Sequence, residues 1–335
     1  MAWWERLLRA RQPEGATFLL RRRHSDPGID RSYGDARLVA MRAAALQGGA
    51  ERWPDIRGHL AAAEGQEDLT FLVEGVQDVA QVERWIAEVV AAEPDDTLAL
   101  LVSGARYVAS AWQAHSGYEP SSVSEEQREV SRERLLVAET QLSEVAEREP
   151  SWAVPWYFLQ VSGRGLRVGQ EEAERRFEAT CHRSPGHVAA HRQQLQQLSA
   201  RWGGSRDRMH AFARQAGLTA PDGSGLGQLV AQAHLEDWQK AGGDPDSTLL
   251  RAPEVVRALH EAGARSVHHP AFVRRRDWAV GVNTFALAFA LAGENEAARA
   301  MFRMVRKLPT EMPWRYLDER SPVAPFLAWR ARVGA

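Results

Sequence analysis

His187 and His191 lie four residues apart, a spacing that puts two imidazoles on one face of a helix, where they could share a metal ion. His182 and His210 stand nearby, and His260, His268 and His269 gather just before Pro270. Neither group has the His-Glu-x-x-His pattern in which two helical imidazoles and a general base meet a metal. No metal is expected, and His191, 35 residues after Trp156, is read as a packing residue. Cys181 follows Phe177 by four residues and so shares its helix face. That favours a small buried side chain over a nucleophile. Gly223, Gly225 and Gly227 imitate a phosphate loop only in spacing, because no strand precedes them and the lysine that such a loop needs is missing. The triplets 21–23 and 274–276 are all arginine and read as solvated surface, although either could clamp a carboxylate or phosphate from the side of a groove. Asp95, Asp96, Glu171 and Glu172 suit helix starts, where negative charge complements the dipole. No catalytic residue and no cofactor is assigned.

The elements that must carry these residues are marked by prolines. Pro150, Pro185 and Pro221 each close a helix-patterned stretch at intervals of 35 and 36 residues, close to the period of about 34 in tetratricopeptide repeats. Fragments of that repeat's signature recur. Trp156 with Leu159 and Gly104 with Tyr107 fit the first helix, while Ala138 with Leu142, Ala173 with Phe177 and Ala298 with Phe302 each precede a proline. The small residue lets two helices approach, the large one fills the gap to the next unit, and the proline ends the helix. The expected fold is therefore all-α, a tetratricopeptide-like array or α-solenoid. Its helix pairs are expected at about 97–149, 152–184, 187–219, 225–263 and 278–308, and Phe177 and Phe302 should be equivalent core residues.

Departures from the period are equally legible. The interval from Pro94 to Pro150 is 56 residues, and its excess falls near 116–126, where Gly117, Pro120 and serines mark an inserted loop. Ser122 with Glu125, and Ser124 with Gln127, resemble capping boxes that would restart a helix. A second irregular segment near 241–277 contains Gly242, Gly243 and Pro245, with Pro253 suited to a helix's first turn. Residues 1–70 read as a capping segment and 71–335 as the repeat domain. At Trp202-Gly203-Gly204-Ser205 the glycines should end one helix in a left-handed turn, Ser205 should cap the next and Trp202 should pack beneath. The other reading of this string is a turn that contacts a ligand.

The stretch from Trp85 to about Phe212, with Val123-Ser124 in the insertion and the string Leu198 to Ser205 leading to Met209, resembles a bacterial family of tetratricopeptide-like proteins. The Arg-Trp-Gly-Gly-Ser string is the most distinctive part. The resemblance covers a third to a half of the chain and implies helical repeats; it implies no activity and no catalytic residues.

Composition narrows the function classes. The 335 residues carry 42 basic against 44 acidic side chains, a net charge of −2, so no global field draws the chain to nucleic acid or anionic lipid. A single cysteine fits a reducing cytoplasm. Residues 1–12 are amphipathic without a signal-peptide core, so export is not expected, and the apolar run from Trp278 to Gly293 is too short to span a membrane and reads as a buried helix. Aligning the units on their prolines puts Tyr157, Arg164, Arg192, Gln196, Gln228, Gln232 and Asn283 on the inner face of the first helices. That set is rich in donors and poor in negative charge. It suits a protein or peptide partner with carbonyls or acidic groups, because Arg pairs with carboxylates and Gln and Asn hold a backbone. The rival reading is an enzyme or small-molecule sensor whose 241–277 region closes a pocket around His260, His268 and His269.

Overall fold

The computed structural model describes residues 27–47, 49–113 and 124–335, and the backbone alone of 114–115. Fifteen α-helices and several short 3-10 turns account for its secondary structure, with no strand among the described residues. No helix among them is long and apolar enough to cross a membrane. The contacts divide the chain into two compact units, residues 34–209 and residues up to 33 together with 210–335. The division thus falls elsewhere than at residue 70.

In the 34–209 unit, α1 (Ala36–Gln47), α2 (Trp53–Ala61), α3 (Gln66–Gln77) and α4 (Val82–Ala92) precede the expected pairs. Then come α5 (Thr97–His115) with α6 (Glu125–Arg148), α7 (Val154–Leu166) with α8 (Gln170–Arg183), and α9 (Val188–Gln197). Each helix from α4 to α8 packs on the next, and the alternate helices also meet, α3 with α5 and α7, α5 with α7, and α7 with α9. The pairing of α5 with α6 shows why a glycine stands at position 104. Leu135, Ala138, Leu142 and Val145 are buried along one seam of α6, and a Cβ on Gly104 would stand only 2.8 Å from Leu142 Cγ. Ser124 and Gln127 form the expected capping box that starts α6; Ser122 and most of the insertion lie outside the described residues.

Arg176 ties three helices of this unit together. From α8 it reaches the Glu139 carboxylate of α6 through both terminal nitrogens at 2.7 and 2.8 Å, the Leu159 carbonyl of α7 at 2.6 Å, and Glu172 on its own helix. Glu172 also accepts two hydrogen bonds from Arg175. Chiefly through Arg175, with Arg176 adding and burial opposing, its carboxyl falls from 4.5 to about 2. Below pH 4.5 the unfolded chain therefore binds a proton here that the folded chain refuses, so the stabilisation is complete above that pH and disappears as pH falls toward about 2. Glu172→Gln is expected to flatten this part of the acid-unfolding curve, as read from urea midpoints across that window, and an unchanged slope would count against it.

α10 (Arg206–Thr219) contains the point of division, and α11 (Gln228–Lys240), α12 (Pro253–Arg265), α13 (Trp278–Ala292), α14 (Asn295–Val305) and α15 (Val323–Val333) follow. α13 is apolar on all sides and packs against α11, α12, α14 and α15, the burial expected of a helix without a polar face. α14 buries only Ala298, Met301, Phe302 and Val305, the spacing of a single stripe. Phe302 is fully enclosed, with Trp314 stacked at 5.7 Å and Phe326 edge-on at 5.4 Å. Phe177 is not its equivalent: it is half-buried and meets the His191 ring edge-on at 4.9 Å. The expectation of two matching core phenylalanines is corrected: Phe177 is half-buried against His191, whereas Phe302 is fully enclosed by aromatic rings.

Candidate functional site

The two histidines at helical spacing do not converge on a metal. His187 is the N-cap of α9, its Nδ1 accepting from the Ala190 amide at 3.2 Å. Its Nε2 is then the protonated nitrogen and donates to Thr70 Oγ1 at 2.9 Å, whose own proton goes to the Gln66 carbonyl. Both ring nitrogens are thereby used. His191 Nδ1 donates to the His187 carbonyl, and burial lowers its basicity. The second cluster is engaged piecemeal: His260 bonds Glu294 at 3.0 Å, His268 lies by Phe289, and His269 Nδ1 accepts from the Ala271 amide. The Cys181 thiol is pushed up to about 12 by burial, with Glu178 adding to the effect, so it supplies no thiolate at neutral pH.

The glycine strings serve packing. Gly203 takes the left-handed conformation after the turn Ala200–Trp202, and Ser205 accepts from the Arg208 amide at the start of α10. Gly204 has no room for a Cβ, which would fall 2.0 Å from the Leu198 carbonyl oxygen. Gly223 is left-handed and presses on the Ala271–Phe272 backbone, and Gly227 on that of Ala262. Arg274 covers the Trp278 ring at 5.0 Å, while residues 21–23 lie outside the described residues.

A different place gathers polar and aromatic groups. In the 34–209 unit the alternate helices α3, α5, α7 and α9 surround a hollow of about 240 Å³. Val108, Ala109, Phe158 and Val161 supply apolar wall, and Glu74, Gln77, Trp112, Tyr157, Arg164 and Gln193 supply polar or aromatic groups. Tyr157 is buried, stacks on His187 at 5.5 Å and donates its phenol proton to Glu74. Burial first, then the Glu74 charge, hold that phenol well above its ordinary value, so it remains a donor. Arg164 lies against two indoles that meet edge-on at 5.9 Å, 5.2 Å from the Trp112 ring and 5.6 Å from that of Trp202, and bonds the Gln193 carbonyl at 3.3 Å. The Arg-Trp-Gly-Gly-Ser turn thus contributes through Trp202, whose carbonyl is fixed by Gln170 Nε2 at 2.8 Å. Gln77 Oε1 is buried at the hollow without a hydrogen-bond partner among the described residues. Another hollow, of about 270 Å³ between α1 and α2, offers only Asp55 and His59 beside alanines and Met41.

The inner-face assignment therefore divides. Tyr157 and Arg164 line the hollow, and half-buried Arg192 lowers the Tyr157 phenol through its charge. Gln196 is half-buried one turn further along α9. Three residues belong to the other unit, where Gln232 is half-buried on α11. Gln228 is 4% exposed, donates to the Gly225 carbonyl and packs on Gly281 of α13. Asn283 is fully enclosed: its Nδ2 serves the Ala279 and Leu308 carbonyls at 2.8 and 3.0 Å, and its Oδ1 accepts from Trp314 at 2.7 Å. Gln228 and Asn283 are thus helix contacts and not groove donors, because a helix packed on every side must satisfy its polar groups internally. Glu74, Gln77, Trp112 and Gln193 were missed by the proline alignment, and Glu74 corrects the expectation of little negative charge. No family model matches the chain, and neither the curated proteins nor the solved structures contain a match.

Proposed function

We propose that the chain is a helical-repeat binding module, a cytoplasmic α-solenoid of tetratricopeptide-like pairs, that holds an extended peptide or protein segment across α3, α5, α7 and α9. The observation that carries this reading is Arg164, a cation resting against Trp112 and Trp202, which meet each other edge-on at 5.9 Å, beside a hollow with apolar walls. The two indoles hold the guanidinium at an attraction of roughly 0.5 to 2 kcal/mol per contact, so less side-chain entropy remains to be lost when a carboxylate docks on it. The hollow of about 240 Å³ is below the roughly 300 to 1,000 Å³ of a small-molecule pocket. That size suits one anchoring side chain of a peptide and disfavours a whole cofactor. An apolar anchor in the hollow with an acidic residue reaching Arg164 and Arg192 is the partner this chemistry recognises.

A random-peptide display library panned on the full chain tests it. Selected peptides should pair an apolar residue with a nearby carboxylate. Arg164→Gln and Arg192→Glu should each weaken the best peptide by more than about 1.4 kcal/mol, a tenfold loss, with little change in melting temperature. Basic peptides, or affinities unmoved by both substitutions, would remove this face from the binding surface.

A further inference from the structure

We propose that His210, His234 and Asp237 form a site for a borderline divalent cation, Zn²⁺ above all, in the unit that holds residues 210–335. The peptide-binding reading concerns the other unit and plays no part in it. His234 and Asp237 stand three residues apart on α11, and α10 supplies His210. One ligand atom from each residue lies within 4.8 Å of the other two. His210 Nε2 is 2.7 Å from Asp237 Oδ2, and the two imidazole rings are 4.8 Å apart at their centroids.

The donor set selects the ion. Two imidazole nitrogens and one carboxylate suit Zn²⁺ or Co²⁺, whereas Ca²⁺ and Mg²⁺ require a cage of oxygens. Ligand atoms at about 2.0 to 2.1 Å in a tetrahedron stand roughly 3.3 Å from one another. The short His210–Asp237 pair must therefore open slightly and the widest pair close by about 1.5 Å, which rotation of the side chains within their wells provides. His210 and His234 are 7% and 8% exposed and the Asp237 side chain 9%. At that depth a carboxylate and two imidazoles are largely stripped of water, so a cation meets little competing hydration. Three protein ligands leave a fourth position for a water or a ligand from solution. On binding, the metal takes the place of the proton between His210 Nε2 and Asp237; Nδ1 of His210 takes up a proton in exchange, so the imidazole ligates in its neutral form.

Co²⁺ titration of the chelator-stripped, tag-free full chain is the test. One equivalent should saturate the protein and produce visible ligand-field bands of a tetrahedral ion, which added Zn²⁺ abolishes. His234→Gln and Asp237→Asn should each weaken Co²⁺ binding by about tenfold or more. Zn²⁺ should raise the melting temperature of the unsubstituted chain and not that of the two variants. His260→Gln, remote from the cluster and paired with Glu294, should bind as the unsubstituted chain does. No saturable uptake by the unsubstituted chain would overturn the proposal whether or not the variants fold, and so would equal Co²⁺ affinities in all four proteins.

Discussion

Phe302→Ala is expected to destabilise the protein by about 3 to 5 kcal/mol, the range for deleting a fully enclosed aromatic ring from a core. Its ring is fully buried between Trp314 and Phe326, and both are held by other contacts. Trp314 donates to Asn283 and lies 5.5 Å from Phe326, so neither is placed to collapse into the space left. Phe177→Ala removes a half-buried ring that meets His191 edge-on and should cost about 1 to 2 kcal/mol. Urea unfolding of both variants checks the contrast. Equal losses would mean that the two positions are equivalent after all, and a loss below about 1 kcal/mol at Phe302 would refute its enclosure.

Arg176→Met should cost about 3 kcal/mol or more, since removing one partner of a buried pair strands the other. The Glu139 carboxylate would lose two charge-assisted bonds, and the Leu159 carbonyl would lose the guanidinium that now reaches it. Methionine keeps most of the volume, which makes the loss mainly electrostatic. Combining it with Glu139→Leu should restore much of the stability, because replacing both members of a buried pair by apolar groups is often neutral or better. Chemical denaturation of the two single variants and the double one closes the cycle. Additive losses would show that Glu139 and Arg176 do not depend on each other.

The helices were legible because each pair carries its own punctuation. Glycine and serine at 203–205, the capping box at Ser124 and Gln127, and the prolines between pairs act locally, and the helices from α5 to α14 fall within the expected spans except α12, which runs two residues past 263. Which face of each helix meets solvent was not legible by the same means. Asn283 looks like a groove donor when units are aligned on prolines, but α13 has neighbours on four helices, and only tertiary packing decides that. Tyr157 and Arg164, read as inner-face residues, line the hollow, while Glu74 comes from α3, ahead of the expected pairs, and Trp112 from the oversized first pair. The group of His210, His234 and Asp237 was not read from the sequence, because nothing in the chain order announces that residues of two helices meet there.

The half-buried state of Cys181, less enclosed than the sequence suggested, has a consequence in time as well as in chemistry. It is the chain's one cysteine, and its thiol stays protonated while α8 is packed, since burial pushes it up to about 12. A thiol reagent at neutral pH then reacts mainly through molecules in which that packing has opened for an instant. The rate of alkylation therefore rises as α8 loosens, and the protein carries in its own sequence a clock for the packing of that one helix.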